Sequence, residues 1–282
     1  MITIKAQKKI LNLSNIQLSY WEWNPGGKPL LLLHGLADSG IVWASLGESL
    51  SDRYHIIAPD IRGHGDSSKP DKGYRCQDII NDLEALMHHV GWNNAHILTH
   101  SWVAKVAAVW ATNQPDRFRS LIFVDPFFID KMPSAIKITF PILYRVLPFL
   151  KLMGQFTTYS AAENLARQLK QYRGWSEYQQ LAFQAAIEQK LDGNWGSKFV
   201  IPARNEIFQD VMDVAGLTQT LEMPILFLQP EKGLNRIELQ LKSYRNYCQN
   251  LEIVKIPGNH WAFLVEPAAF NQAVVEFLDK QK

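Results

Sequence analysis

The chain has 282 residues, 47% of them hydrophobic and 20% charged, with a formal net charge of +2. That apolar share fills one large core, or one core with a small inserted subdomain, and nine Trp, nine Tyr and fourteen Phe exclude a disordered chain. Twenty-nine Lys and Arg against 27 Asp and Glu leave no broad basic field, so no nucleic-acid partner is expected.

Cys76 and Cys248 are the two cysteines. They lie far apart without CxxC spacing, which fits a reducing compartment. The opening MITIKAQKKILNLSN has charges but no apolar run behind them, unlike a secretory signal. An uninterrupted apolar stretch of about 18 residues, the length that spans a bilayer, is absent. The nearest, residues 136–153, carries Lys137, Arg145 and Lys151 and is broken by Pro141 and Pro148. A soluble cytoplasmic protein, monomeric or homodimeric, is expected, without lasting membrane contact. Weak docking of Lys131, Lys137, Arg145 and Lys151 on a membrane surface is the alternative.

Along the chain, IQLSYWEWN alternates well enough for an antiparallel edge strand. PLLLLHG (29–35) and YHIIAPD (54–60) are continuous apolar runs ending in turn residues, as in strands buried on both faces. From Cys76 to Val90 the apolar residues fall at helical spacing. NAHILTHS (94–101) predicts a strand, Trp102 to Thr112 a helix, and SLIFVDP (120–126) a sixth strand. Residues 127 to about 218 hold helical stretches, AAENLARQLKQY and EYQQLAFQAAIEQ among them, and no clear strand. PILFLQP (224–230) and LEIVKIPG (251–258) resume the strand pattern, with a helix between them and a last one from about Glu266. The expected fold class is α/β: a mostly parallel central sheet with helices on both faces. The core is expected at 1–126 and 219–282, and a helical insertion at 127–218.

Ligands of such sheets bind at the carboxyl ends of the strands. The polar residues there are His34, Asp60, Ser101, Asp125, Gln229 with Glu231, and His260. A serine, a histidine and spare carboxylates at one edge are the parts of a nucleophile, a base and its orienter. ILTHSWVAKVAAVW reads as a strand that turns at Ser101 directly into a helix. The turn would lift the hydroxyl and make the Trp102 N–H a donor for a developing oxyanion; a simple helix N-cap is the bland alternative. His260 follows a Pro-Gly turn after the last strand, giving the chain order Ser, acid, His. Trp102 is expected either to line a pocket or to cover the sheet edge, and Lys105 to be a solvated or cap-facing charge. Metal binding is not indicated, and no cofactor is expected.

His34-Gly35, the run DIRGHGDS from Asp60 to Ser67, and PGNH followed by Glu266-Pro267 together resemble the α/β-hydrolase superfamily, from about residue 29 to the C-terminus apart from the insertion. The resemblance implies that Leu36, after His-Gly, supplies a second oxyanion amide. It also implies that His64 and Asp66 are scaffold and that the insertion is a cap over the site. Two departures stand out. Thr99 and Val103 replace the glycines of G-x-S-x-G, so Val103 needs extra room or an opened turn. The usual acid after the seventh strand is missing, with Gly233 at its place. Asp125 is the preferred acid and Glu231 the alternative, because some relatives, haloalkane dehalogenases among them, carry the acid after the sixth strand. HSW here is similar to the HDW of those relatives. They attack with an aspartate, however, and Leu36 offers no side-chain donor for halide, so dehalogenation and epoxide opening are not expected. Ser101 suits acyl transfer: esters, thioesters, lactones or amides, with the aromatic segment 126–156 favouring a small to medium hydrophobic substrate. The alternative is a hydrolase-fold ligand-binding protein, or a degenerate enzyme with little turnover.

Overall fold

Four successive leucines, Leu30 to Leu33, are fully buried, and they divide between two cores: Leu31 and Leu33 join one, Leu30 and Leu32 the other. Adjacent residues of a strand point to opposite faces, so a strand apolar on both faces needs cover on both. The structure, a computed structural model, describes residues 3–133 and 147–281. Its main sheet has eight strands in the order β1-β2-β4-β3-β5-β6-β9-β10. These are β1 Gln7–Asn12, β2 Gln17–Trp23, β3 Lys28–Leu33, β4 Tyr54–Pro59, β5 Ala95–His100, β6 Phe118–Val124, β9 Leu221–Lys232 and β10 Cys248–Asn259. From β4 to β10 the pairs are parallel; β2 runs antiparallel to both β1 and β4. The mostly parallel sheet read from the sequence is therefore present.

The helices fall on both sides. α1 (Ala44–Leu50) covers one face, with Leu46 in the core of Leu30 and Leu32. α2 (Cys76–His89) and α3 (Val103–Asn113) bury Ile79, Leu83, Val106 and Trp110 in the other core. β2 is not the edge strand that its alternation suggested. β1 lies outside it, and its exposed Lys8 and half-buried Lys9 pair with Asp66 and Glu22. A charged outer strand blunts a sheet edge that would otherwise pair with other chains.

Between β6 and β9 the chain forms α4 (Tyr159–Ala166), α5 (Glu177–Ala186), a small antiparallel hairpin of β7 (Ile187–Gln189) and β8 (Trp195–Ser197), and α6 (Ile201–Asp213). The expectation of no strand here is corrected by that hairpin, whose three-residue arms are too short for a readable alternation. Thr158 caps α4, and Ser176 with Gln179 forms a capping box on α5. The polar residues just before these apolar runs thus satisfy the orphan N–H groups. Of the expected membrane-docking cations, Lys131 and Lys151 are exposed, whereas Lys137 and Arg145 lie outside the described residues. Among the described residues no helix is long and apolar enough to cross a membrane. After β9 come α7 (Glu238–Tyr247), and after β10 the short α8 (Ala262–Val265) and α9 (Pro267–Asp279).

Candidate active site

Ser101 sits between β5 and α3 with φ of 64°, the left-handed conformation that costs a non-glycine residue about 1–3 kcal/mol and persists only where its surroundings impose it. Three backbone bonds impose it: Ser101 N–H donates to Val124 O (3.1 Å), and Ser101 O accepts from Ala104 (3.2 Å) and Phe127 (3.1 Å). The turn is therefore tight despite its missing glycines. Thr99 is fully buried with its hydroxyl on Ile122 O at 3.2 Å, and Val103 is fully buried in the core. The room needed by both is built into the packing.

His260 reaches Ser101 from the end of β10. Its Nε2 lies 3.0 Å from Ser101 Oγ, and its Nδ1 lies 2.6 Å from Asp125 Oδ2. With Nδ1–H donating to the carboxylate, Nε2 is left to accept the serine proton. Asp125 follows β6 directly, is completely buried and has φ of 40°. Its carboxylate also accepts from Leu234 N–H (2.8 Å), Asn235 N–H (3.2 Å) and the Asn235 side chain (3.0 Å). Burial pushes this carboxyl up, but the bonds from His260, Leu234 and Asn235 outweigh burial and hold it below the usual carboxylate range. Glu231, the alternative acid, is exposed at the end of β9, and Asp125 is the carboxylate on the histidine. A Cβ on Gly233 would stand 2.6 Å from Asp125 Oδ2, so the residue at the usual acid position must be glycine for Asp125 to occupy this space. Sequence reading missed Asn235 and the role of Gln229, whose Nε2 props Asn235 O at 2.7 Å. Their signal was faint: a polar pair beside an out-of-place glycine.

A model of the alpha/beta hydrolase fold matches residues 28–267. The chain belongs to the α/β-hydrolase fold family. A 2-(acetamidomethylene)succinate hydrolase of Mesorhizobium japonicum is 26% identical over 265 residues, covering 90% of this chain and 89% of that protein. A soluble epoxide hydrolase of a Corynebacterium is 35% identical over 118 residues, which are 41% of this chain and only 40% of that relative. The crystal structure of E-2-(acetamidomethylene)succinate hydrolase superposes with a TM-score of 0.82 at 22% identity, over 97% of this chain and 99% of that one, a likeness of fold.

The motifs of this α/β-hydrolase hold its loops. The His34 ring accepts from Ile61 N–H (3.0 Å) at Nε2 and donates to Gly35 O (2.7 Å) from Nδ1. Asp60 accepts from the Gly40 and Asp66 amides. Asp66 pairs with Lys8 and Lys198, and His64 stacks on Phe199 with ring centroids 4.3 Å apart; both act as scaffold. Leu36 and Trp102 are buried and line, with Ser101 and His260, a cavity of about 600 Å³. No carbonyl among the described residues accepts the N–H of Leu36 or Trp102. Of the two readings of Trp102, the pocket is where it stands. Lys105 is buried and faces the insertion, not solvent: its ammonium donates to the carbonyls of Asp130 (3.0 Å), Val211 (2.5 Å) and Val214 (2.8 Å).

Beside His260 lies a second acid–imidazole pair. His100 Nε2 donates to His260 O (2.9 Å), while its Nδ1 faces Asp38 Oδ2 at 3.8 Å. Both facing atoms are buried without a hydrogen-bond partner among the described residues. Burial pushes the Asp38 carboxyl up to about 7, and burial followed by the nearby His260 pushes His100 well down. Below about pH 7 the Asp38 carboxyl is mainly protonated beside a neutral imidazole.

Proposed function

We propose that the chain is a serine hydrolase that cleaves a carboxylic ester, thioester, lactone or amide through an acyl-enzyme. One observation carries this reading: Ser101 Oγ, His260 and Asp125 form a continuous hydrogen-bonded chain, 3.0 and 2.6 Å long, that opens into a cavity. His260 Nε2 takes the Ser101 proton as Oγ attacks the acyl carbon, and Asp125 holds the imidazolium that results. The amides of Leu36 and Trp102 receive the negative charge that grows on the carbonyl oxygen. His260 then returns the proton to the leaving group. Water repeats the sequence on the acyl-serine, releasing the acid and restoring the hydroxyl.

The apolar wall of Leu36, Trp102, Phe127, Phe149, Leu169 and Trp261 supports a small to medium substrate with a hydrophobic body. Residues 127–218 act as its cap in this reading. The relative aligned over 89% of its length is named for hydrolysis of an acetamido compound, which agrees with acyl cleavage. The relative named an epoxide hydrolase does not set the chemistry here, because a serine stands where an attacking aspartate is expected.

A fluorophosphonate probe and p-nitrophenyl esters of graded chain length test the reading, with Ser101→Ala as control. Labelling and turnover that both vanish in the variant are expected. An intact protein that neither reacts with the probe nor cleaves any ester is instead a binding protein on a hydrolase scaffold.

A further inference from the structure

The cavity beside Ser101 is not apolar throughout. Lys170, from the turn after α4, Lys232, the last residue of β9, and Arg236, from the turn that follows, line it together with Asn259. All three cations are exposed, and none of their side chains has an ion-pair or hydrogen-bond partner among the described residues. Among the described residues no aspartate or glutamate lines it; Asp125 lies behind Gly233, and its charge is matched by His260, Leu234 and Asn235. Lining of a single sign beside low-dielectric walls focuses the field into a cleft and raises the local concentration of an oppositely charged ligand. In a chain of net charge only +2, this potential is local to the cleft.

We propose that the acyl donor carries a carboxylate at the end remote from the scissile bond. Its hydrocarbon body lies on the aromatic wall and its anion meets Lys170, Lys232 and Arg236. The proposal rests on the serine-hydrolase reading and names its substrate class: monoesters, monothioesters or monoamides of dicarboxylic acids of medium length. A purely apolar fatty ester would draw nothing from the field of these three solvent-exposed cations. The dicarboxylic monoester pairs them while filling the same cavity.

The test compares mono-p-nitrophenyl suberate with p-nitrophenyl octanoate, equal in acyl chain length, using the full-length enzyme. The expected kcat/KM ratio is about tenfold or more in favour of the suberate at low salt, carried mainly by KM and shrinking as salt is added. In the double variant Lys232→Gln/Arg236→Gln the ratio should fall toward one. A third substrate, the octanoate ester of a sulfonated phenol, puts the anion on the leaving group. A preference for that ester alone overturns the proposal, as does a wild-type ratio of one or a ratio unmoved by the double variant. Octanoate cleaved through Ser101 without preference sinks the substrate class and leaves the serine hydrolase standing. If no ester is cleaved and the fluorophosphonate does not label Ser101, the underlying reading falls and takes the substrate class with it.

Discussion

The elbow at Ser101 and the turn after β9 both depart from the family pattern, in opposite directions. At the elbow, bulk replaces glycine: Thr99 and Val103 are fully buried, and the backbone still holds φ of 64° at Ser101. At the turn, glycine replaces bulk: Gly233 stands where a carboxylate is usual, and the space beside it holds the Asp125 carboxylate. The first change is absorbed by packing, whereas the second relocates a charge from one strand end to its neighbour, since β6 and β9 are paired. A motif position is thus a demand on volume and charge at a point in space, and a neighbouring strand can meet it.

The largest break in this comparison is Asp125→Asn. Loss of the charge that orients His260 should lower kcat by about 10³–10⁴-fold with the fold intact, read by ester kinetics and circular dichroism. Glu231→Gln in the same assay should change little. Next comes Gly233→Ala, whose methyl would stand 2.6 Å from Asp125 Oδ2. A displaced carboxylate should cost about 10- to 100-fold in kcat with KM nearly unchanged; wild-type turnover would show that the turn yields instead. The elbow should respond the other way. Val103→Gly empties a buried site and weakens a helix, so chemical denaturation should show a loss of about 2–4 kcal/mol, while kcat per folded molecule stays close to wild type.

The smallest expected effect concerns Asp38, beside the His100 ring. A carboxyl raised by burial to about 7 binds its proton more tightly in the folded chain than in the unfolded one. The folded state therefore carries the extra proton between about pH 4 and 7, and stability from this group falls as pH rises through that window. Asp38→Asn removes the slope. The Tm of the variant relative to wild type should climb from pH 4 to pH 7 and level off above it, and a constant difference would refute the neutral pair.

Sequence alone was enough for the parallel strands and for bringing Ser101 and His260 to one edge of the sheet, because buried strands read as apolar runs and the motifs bracket that edge. It was not enough for β1, which is held by pairing and by Lys8 and Lys9 rather than by an apolar face, nor for the hairpin of β7 and β8. The choice between Asp125 and Glu231 stayed open for a geometric reason. Both close strands that end at the same edge, and only side-chain direction separates the buried carboxylate from the exposed one. Asn235, Gln229 and the Asp38–His100 pair act through contacts between distant segments, which no local pattern announces.

Lys105 has a mechanical consequence. One ammonium grips the chain as it leaves the sheet region at Asp130 and as it returns at Val211 and Val214, from α3, which begins two residues after Ser101. Swinging the whole insertion outward would break all three of those charge-assisted bonds at once, exchanging them for water. Both roots of the insertion are therefore pinned to α3, the helix that follows Ser101, so an outward movement of the insertion has to bend beyond those roots and leave the surroundings of Ser101 in register.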